Sequence, residues 1–112
     1  MAIRPNNITP AQLTASAATY YTAPANTKSV IKKLTFTNTD TVARTVTVYL
    51  VPSAGTAGAT NILISARPIP AGDTYDCQEA LGQTLLIGGF IQALADVGAK
   101  VTIQGSLSEV VG

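Results

Sequence analysis

The stretch Arg44-Thr45-Val46-Thr47-Val48-Tyr49-Leu50-Val51 decides the fold class. Val46, Val48 and Leu50 fall on one face and Thr45, Thr47 and Tyr49 on the other, which is period two over a full strand. Branching at Cβ stiffens Val and Thr about χ1, so they crowd a helix and suit a pleated, half-buried surface. Pro52 closes the segment, because it has no N–H to give a ladder. Upstream, residues 30–39 place Val30, Leu34 and Phe36 on one face with Lys32, and Ile31, Lys33, Thr35 and Thr37 on the other. The link Asn38-Thr39-Asp40-Thr41 is polar and turn-like, so these two segments are expected to pair as an antiparallel hairpin.

Further out, residues 17–23 with Thr19-Tyr20-Tyr21-Thr22 read as another strand, ended by Pro24-Ala25-Asn26-Thr27. Residues 53–60 form a mobile loop of small side chains. Residues 61–66 form a short strand with Ile62 and Ile64 on one side and Leu63 on the other. Pro70-Ala71-Gly72-Asp73 is a turn signature, since proline presets φ and glycine supplies a positive one. Extended runs follow at residues 74–77, 90–95 and 101–104, with Leu107, Val110 and Val111 available to lengthen the last. Residues 79–87 are ambiguous. Leu81, Leu85 and Leu86 fit helical spacing but Gly82 interrupts it, leaving a short helical turn or an irregular strand, with strand or loop preferred. Seven or eight short strands at about ten-residue spacing give an all-β chain, an antiparallel β-sandwich of jelly-roll or immunoglobulin-like type. Residues 1–12 read as an extended N-terminal arm, or as a frayed end, ahead of a single sandwich domain at residues 13–112.

With 112 residues the chain has room for one domain. Seven basic and six acidic side chains leave a net charge of +1, which gives no electrostatic drive toward nucleic acid or an acidic membrane. No run of about 18 apolar residues is present to span a bilayer, and the first residues lack the apolar core of a signal peptide. The expectation is a soluble protein kept inside a cell or released from it by lysis. Asn7-Ile8-Thr9 matches a glycosylation sequon, followed by Pro10, and is read as chance.

Candidate chemistry is sparse. The absence of histidine removes the commonest general base and metal ligand together. Lys28, Lys32 and Lys33 lie on or beside a strand and not behind a glycine-rich nucleophile turn. Gly88-Gly89 lacks the rest of any phosphate-cradling pattern. Asp73, Asp76 and Glu79 fall close together, but a pleated run sends Asp76 to the face opposite the other two, and Asp73 beside Gly72 serves a turn. The single Cys77 cannot form an internal disulfide, and its neighbour Asp76 raises its thiol pKa. Tyr20, Tyr21, Tyr49 and Tyr75 read as strand-edge tyrosines, with a sugar-stacking patch as the alternative. Lys28, Lys32, Lys33 and Arg44 read as a solvated strip of a sheet face. No residue is assigned a catalytic, cofactor-binding or metal-binding role, no cofactor is expected, and the chain is not expected to be an enzyme.

The charges divide unevenly along the chain. Residues 1–70 hold six basic side chains and one acidic, and residues 71–112 hold one basic and five acidic. Folding can simply bring the halves together; otherwise complementary patches favour head-to-tail contacts that close into rings.

Several stretches carry a resemblance: Tyr20-Tyr21-Thr22-Ala23-Pro24-Ala25-Asn26-Thr27-Lys28, Ile31-Lys32-Lys33-Leu34-Thr35-Phe36-Thr37-Asn38-Thr39, and Thr45-Val46-Thr47-Val48-Tyr49-Leu50-Val51-Pro52. It resumes at Ile69-Pro70-Ala71-Gly72-Asp73-Thr74-Tyr75 and Val101-Thr102-Ile103-Gln104-Gly105-Ser106. Together these resemble the small β-sandwich structural proteins of tailed-phage and prophage virions. The resemblance implies a non-enzymatic virion protein, assembled in the host cytoplasm, that decorates or cements the capsid or forms part of the collar or tail by symmetric self-assembly. Its partners would be itself, as a trimer or ring, and other virion proteins of the capsid, tail or portal region, with no nucleic acid and no membrane. No site residues carry over, and neither the first ten residues nor Leu107-Ser108-Glu109-Val110-Val111 match the group. The alternative is a receptor- or glycan-binding module of a phage fibre, using Tyr20, Tyr21, Tyr49 or the loop at residues 53–60.

Overall fold

The alternation at Arg44–Val51 is realised in space: Val46 and Val48 are buried, Leu50 packs against the core, and Thr45, Thr47 and Tyr49 are half-buried. The structure, a computed structural model, describes residues 2–112. Its strands are β1 (Ala2–Gln12), β2 (Ala18–Thr22), β3 (Thr27–Asn38), β4 (Arg44–Val51), β5 (Ile62–Ile69), β6 (Thr74–Asp76), β7 (Thr84–Leu85), β8 (Phe90–Ala95) and β9 (Val101–Val111). One sheet runs β1-β9-β3-β6, with β7 also on β3, and the other runs β2-β8-β4-β5. All pairs are antiparallel. From β1 to β4 the chain changes sheet at every step, and β5–β6, β7–β8 and β8–β9 cross as well. This interleaved order is that of a jelly roll.

That order corrects the hairpin expected between residues 30–39 and 44–51. β3 is flanked by β9 on one side and by β6 and β7 on the other, while β4 lies between β8 and β5 in the opposite sheet. The link between them is a corner from layer to layer, built around Asn38. This side chain is fully buried, and its Nδ2 donates to the carbonyls of Val42 (2.8 Å) and Ile69 (2.9 Å), while its Oδ1 accepts from the Asp40 N–H (2.9 Å). A polar link of this length suits a hairpin or a corner; the buried amide holds the corner by satisfying carbonyls of the link and of β5 in the opposite layer.

The face assignment in β3 is corrected as well. Thr27, Ser29 and Ile31 point inward and so do Leu34, Phe36 and Asn38, a change of parity that alternation alone forbids. The pairing with β9 slips between Ile31 and Lys33, so Lys32 is the extra residue of a β-bulge. β1 slips too, between Ile8 and Ala11. Both irregularities meet Gly105, which faces Leu34 on one side and Ile8 on the other. A Cβ there would stand 2.6 Å from the Lys33 carbonyl oxygen and 2.9 Å from Ile8 Cδ1. Only glycine lets both neighbours approach β9 at this point.

Between the layers lie Ile8, Leu13, Ile31, Leu34, Phe36, Val46, Val48, Ile91, Ile103 and Leu107, all buried. Burying each of the Ile, Leu and Phe side chains contributes about 1.5–3 kcal/mol. Residues 79–87 resolve into both forms weighed for them: a 3-10 turn at Gln78–Ala80, then the two-residue strand β7. The C-terminal run extends through Val111. The segment expected as an arm is extended and lies antiparallel on β9, from Ala2 opposite Val111 to Gln12 opposite Thr102; Met1 lies outside the described residues. The long strands run along the long axis of a body measuring 46 × 25 × 20 Å.

Candidate functional site

The one buried charged side chain among the described residues is Glu109, on the inward face of β9 and 1% exposed. Strand alternation carries it inside: Val101, Ile103, Leu107 and Glu109 share one face. Near the end of the sandwich this face meets β1 and β2. Arg4 Nε donates to one carboxylate oxygen at 2.9 Å, and Asn6 Nδ2 (3.1 Å) and the Tyr21 hydroxyl (2.5 Å) donate to the other. Tyr21 Oη lies 2.7 Å from Ser29 Oγ on β3. Four strands are thereby tied to one carboxylate. The Tyr21 hydrogen bond, then those of Asn6 and Arg4, hold the Glu109 carboxyl below the usual carboxylate range although desolvation pushes the other way. Burial, with the Glu109 bond adding to it, pushes the Tyr21 phenol up to about 12. A carboxylate that stays charged and a phenol that stays protonated make a fixed clamp and not an acid–base pair working near neutrality. Sequence reasoning missed this cluster; the one available signal was a Glu in register with the inward Val101, Ile103 and Leu107.

A second cluster lies at the opposite edge of the same sheet. Arg67 covers the Tyr75 ring at 4.5 Å from its centroid, the Tyr75 hydroxyl donates to Glu79, and Lys33 Nζ pairs with Asp76 at 3.1 Å. Burial first, then the Glu79 bond, pushes the Tyr75 phenol up to about 12. Arg67, Tyr75, Asp76 and Glu79 line a polar hollow of about 260 Å³ with Gln78. Its aromatic face is already occupied by the guanidinium, which removes it as a stacking platform for a sugar. Asp76 Oδ1 is enclosed without a hydrogen-bond partner, the one such side-chain atom among the described residues.

The residues singled out from the sequence are dispersed. Tyr21 and the half-buried Tyr49 belong to one sheet, on β2 and β4, and Tyr75 lies on the edge strand β6 of the other. Asp73 stands in the turn after Pro70, where its N–H bonds the Pro70 carbonyl. Asp76 and Glu79 take different cationic partners, Lys33 and Arg67. No group of three or more His, Cys, Asp or Glu is placed to hold a metal ion among the described residues. Cys77 is fully buried, and burial, more than its acidic neighbours, pushes the thiol up to about 11. The lysine strip does not include Arg44, which sits in the other sheet between Asp40 (2.8 Å) and Asp96 (3.5 Å). The loop at residues 53–60 is braced from within by Asn61, whose side chain accepts from the Gly58 N–H and donates to the Thr56 carbonyl.

Four of the five ion pairs among the described residues join the basic first part of the chain to the acidic second: Arg4–Glu109, Lys33–Asp76, Arg44–Asp96 and Arg67–Glu79. The uneven charge distribution along the sequence therefore serves mainly the fold. The larger hollow is apolar. At the end of the sandwich near Ala2 and Val111, a groove of about 450 Å³ is lined by Leu50, Val51, Pro52, Leu85, Leu86 and Ile87. Leu86 and Ile87 are 64% and 51% exposed.

No protein-family model matches the chain, and no curated protein matches its sequence. Among solved structures, the chain is similar to one of Bacillus endospore appendages, described as forming a novel family of disulfide-linked pili. The TM-score is 0.58 at 13% identity, covering 97% of this chain and 88% of that one. Structures of infectious bursal disease virus also match: the Gx strain at TM-score 0.47 and 18% identity, and the T13 particle at 0.49 and 16%. The chain spans about a third of the length of those viral chains, 33% and 31%, while 99% and 97% of its own length is matched. At 13% identity the likeness to the pilus structure shows a shared all-β sandwich fold.

Proposed function

We propose that this chain is a non-enzymatic structural subunit that works by assembling with copies of itself. In its specific form, it is a phage virion protein that decorates or cements the capsid, or forms part of the collar or tail. One observation carries the reading: the ionisable side chains that approach one another are engaged in holding strands together. Glu109 ties four strands, Arg44 sits between two carboxylates, and Arg67 bridges Tyr75 and Glu79. Polar groups used this way give a rigid body whose function lies in its outer surface. The jelly-roll order and the resemblance of residues 20–106 to virion sandwiches support the same reading; capsid domains are among the common uses of this fold. Its place is then the virion, and its partners are further copies and the capsid or tail proteins beneath them. Many weak contacts repeated over a lattice would supply avidity.

The test is binding of the labelled protein to purified phage particles stripped of it. Saturation at many copies per particle is expected. Binding to immobilised glycans, with no saturable binding to particles, would instead establish the fibre-module alternative.

A further inference from the structure

The exposed edges of the two sheets are closed to strand addition. On β1, Pro5 has no N–H, and the Asn7 N–H is taken by Asn6 Oδ1 at 2.8 Å. Residues two apart point their backbone groups to the same side of a strand, so both donors are lost on the free side. β5 carries Arg67 and Pro68 and kinks at Ala66, where φ is 47° and the N–H bonds Thr47 Oγ1. β2 is short and its pairing slips between Thr19 and Tyr21, while β6 and β7 have three and two residues. Lateral pairing is blocked, as in proteins that avoid edge-to-edge association.

The two ends differ from the sides. The pairing register puts Ile3, Leu86 and Ile87 at one end, with Lys28, and Val42 and Val97 at the other, with Asp40, Asp96 and Arg44. Ile3 is 67% exposed and Val42 51%. Arg4 is matched by Glu109, so Lys28 is the first end's surplus charge. At the second end three carboxylates, Asp40, Asp73 and Asp96, outnumber two cations, Arg44 and Lys100, which leaves one surplus negative charge. Apolar groups at both ends, with opposite surplus charges, suit a heterologous contact in which one end meets the other.

Resting on the reading of the chain as an assembling subunit, we propose that copies stack end to end, the Leu50–Pro52 and Leu85–Ile87 groove of one receiving the Val42 and Val97 end of the next. The cross-section of 25 × 20 Å allows about 500 Å² per end, or about 1,000 Å² per junction, below the ~1,200–2,000 Å² of stable complexes. Each junction is therefore weak, and stacks form at protein concentrations on the order of 0.1–1 mM or when a particle holds the copies in line.

The test is sedimentation velocity on three proteins: the wild type, a double variant Leu86→Ser and Ile87→Ser, and a double variant Val42→Ser and Val97→Ser. All four side chains are solvent-exposed, so the fold is retained, which circular dichroism checks. The wild type is expected to form a concentration-dependent ladder that shortens with salt, and each variant alone to remain monomeric. Mixing the two variants restores one intact junction per pair, so the mixture should stop at dimers. Variants that associate as the wild type does, or a mixture that stays monomeric, would overturn the stacking. A wild type that is monomeric at 1 mM yet saturates particles would remove the junction and keep the structural-subunit reading; one that does neither would remove both.

Discussion

Replacing Glu109 by Gln tests the clamp at its centre, because the amide keeps the shape and removes the charge. The wild-type carboxylate accepts from Tyr21 at 2.5 Å, Asn6 at 3.1 Å and Arg4 at 2.9 Å. Glutamine has one acceptor oxygen, so it keeps one oxygen's bonds and turns an NH2 donor toward a donor on the other side. A hydrogen bond to a charged group contributes about 1.5–3 kcal/mol, and the Arg4 pair, with a side chain 56% exposed, is discounted to at most about 1 kcal/mol. Glu109→Gln should therefore cost about 2 kcal/mol at pH 7, and Glu109→Ala, which leaves the Tyr21 and Asn6 donors without this acceptor, about 3–4 kcal/mol. The pH dependence supplies a second check. Glu109 has its pKa depressed in the folded state, chiefly by the Tyr21 bond. Its stabilisation is then complete above the unfolded value of about 4.3 and is lost as pH falls through the lower folded value. Asp40 and Glu79 are also held low, but both proteins share them, so they cancel in the difference. Urea unfolding at pH 7 and again near pH 2.5 should show the wild-type advantage over Glu109→Gln at the first and a much smaller one at the second. Equal stability at pH 7, or a gap that does not change with pH, would show that the Glu109 charge does not hold the strands.

Gly105→Ala should destabilise by about 1–3 kcal/mol, because its Cβ meets the Lys33 carbonyl at 2.6 Å and one strand must shift; thermal denaturation unchanged by the substitution would contradict this. Asn38→Ala should cost about 2–3 kcal/mol, and Asn38→Asp should not rescue it, since a carboxylate cannot donate to the Val42 and Ile69 carbonyls; chemical denaturation of the pair decides. Cys77, buried with its thiol pushed up to about 11, should react with a thiol reagent at pH 8 only as fast as the protein opens; immediate stoichiometric labelling of the native protein would count against the structure.

Much of the fold was legible in the sequence. The alternation at Arg44–Val51, the turn at Pro70-Ala71-Gly72-Asp73 and the regular spacing of extended runs gave an antiparallel sandwich, and the structure has one. Strand partnership was not legible. Alternation says that β3 and β4 each have one apolar face, and both a hairpin and a corner satisfy that; the choice rests on Asn38, whose buried bonds form only after the layers meet. The β3 bulge was hidden for a related reason. Lys32 and Lys33 break the alternation, and only Gly105, far along the chain, explains where the extra residue fits. The Glu109 clamp unites residues from four strands, among them Arg4 and Tyr21, and local sequence carries no sign of such a meeting.

In the function proposed, this sandwich acts through its outer surface, as one of many copies in a particle. Electron cryo-microscopy of intact phage particles carrying the chain tests that most directly. Symmetry-repeated density is expected, into which the 46 × 25 × 20 Å jelly roll fits with the neighbouring capsid or tail protein against it. Mature particles that contain no copy of the chain, or a single copy outside the symmetric shell and tail, would contradict it.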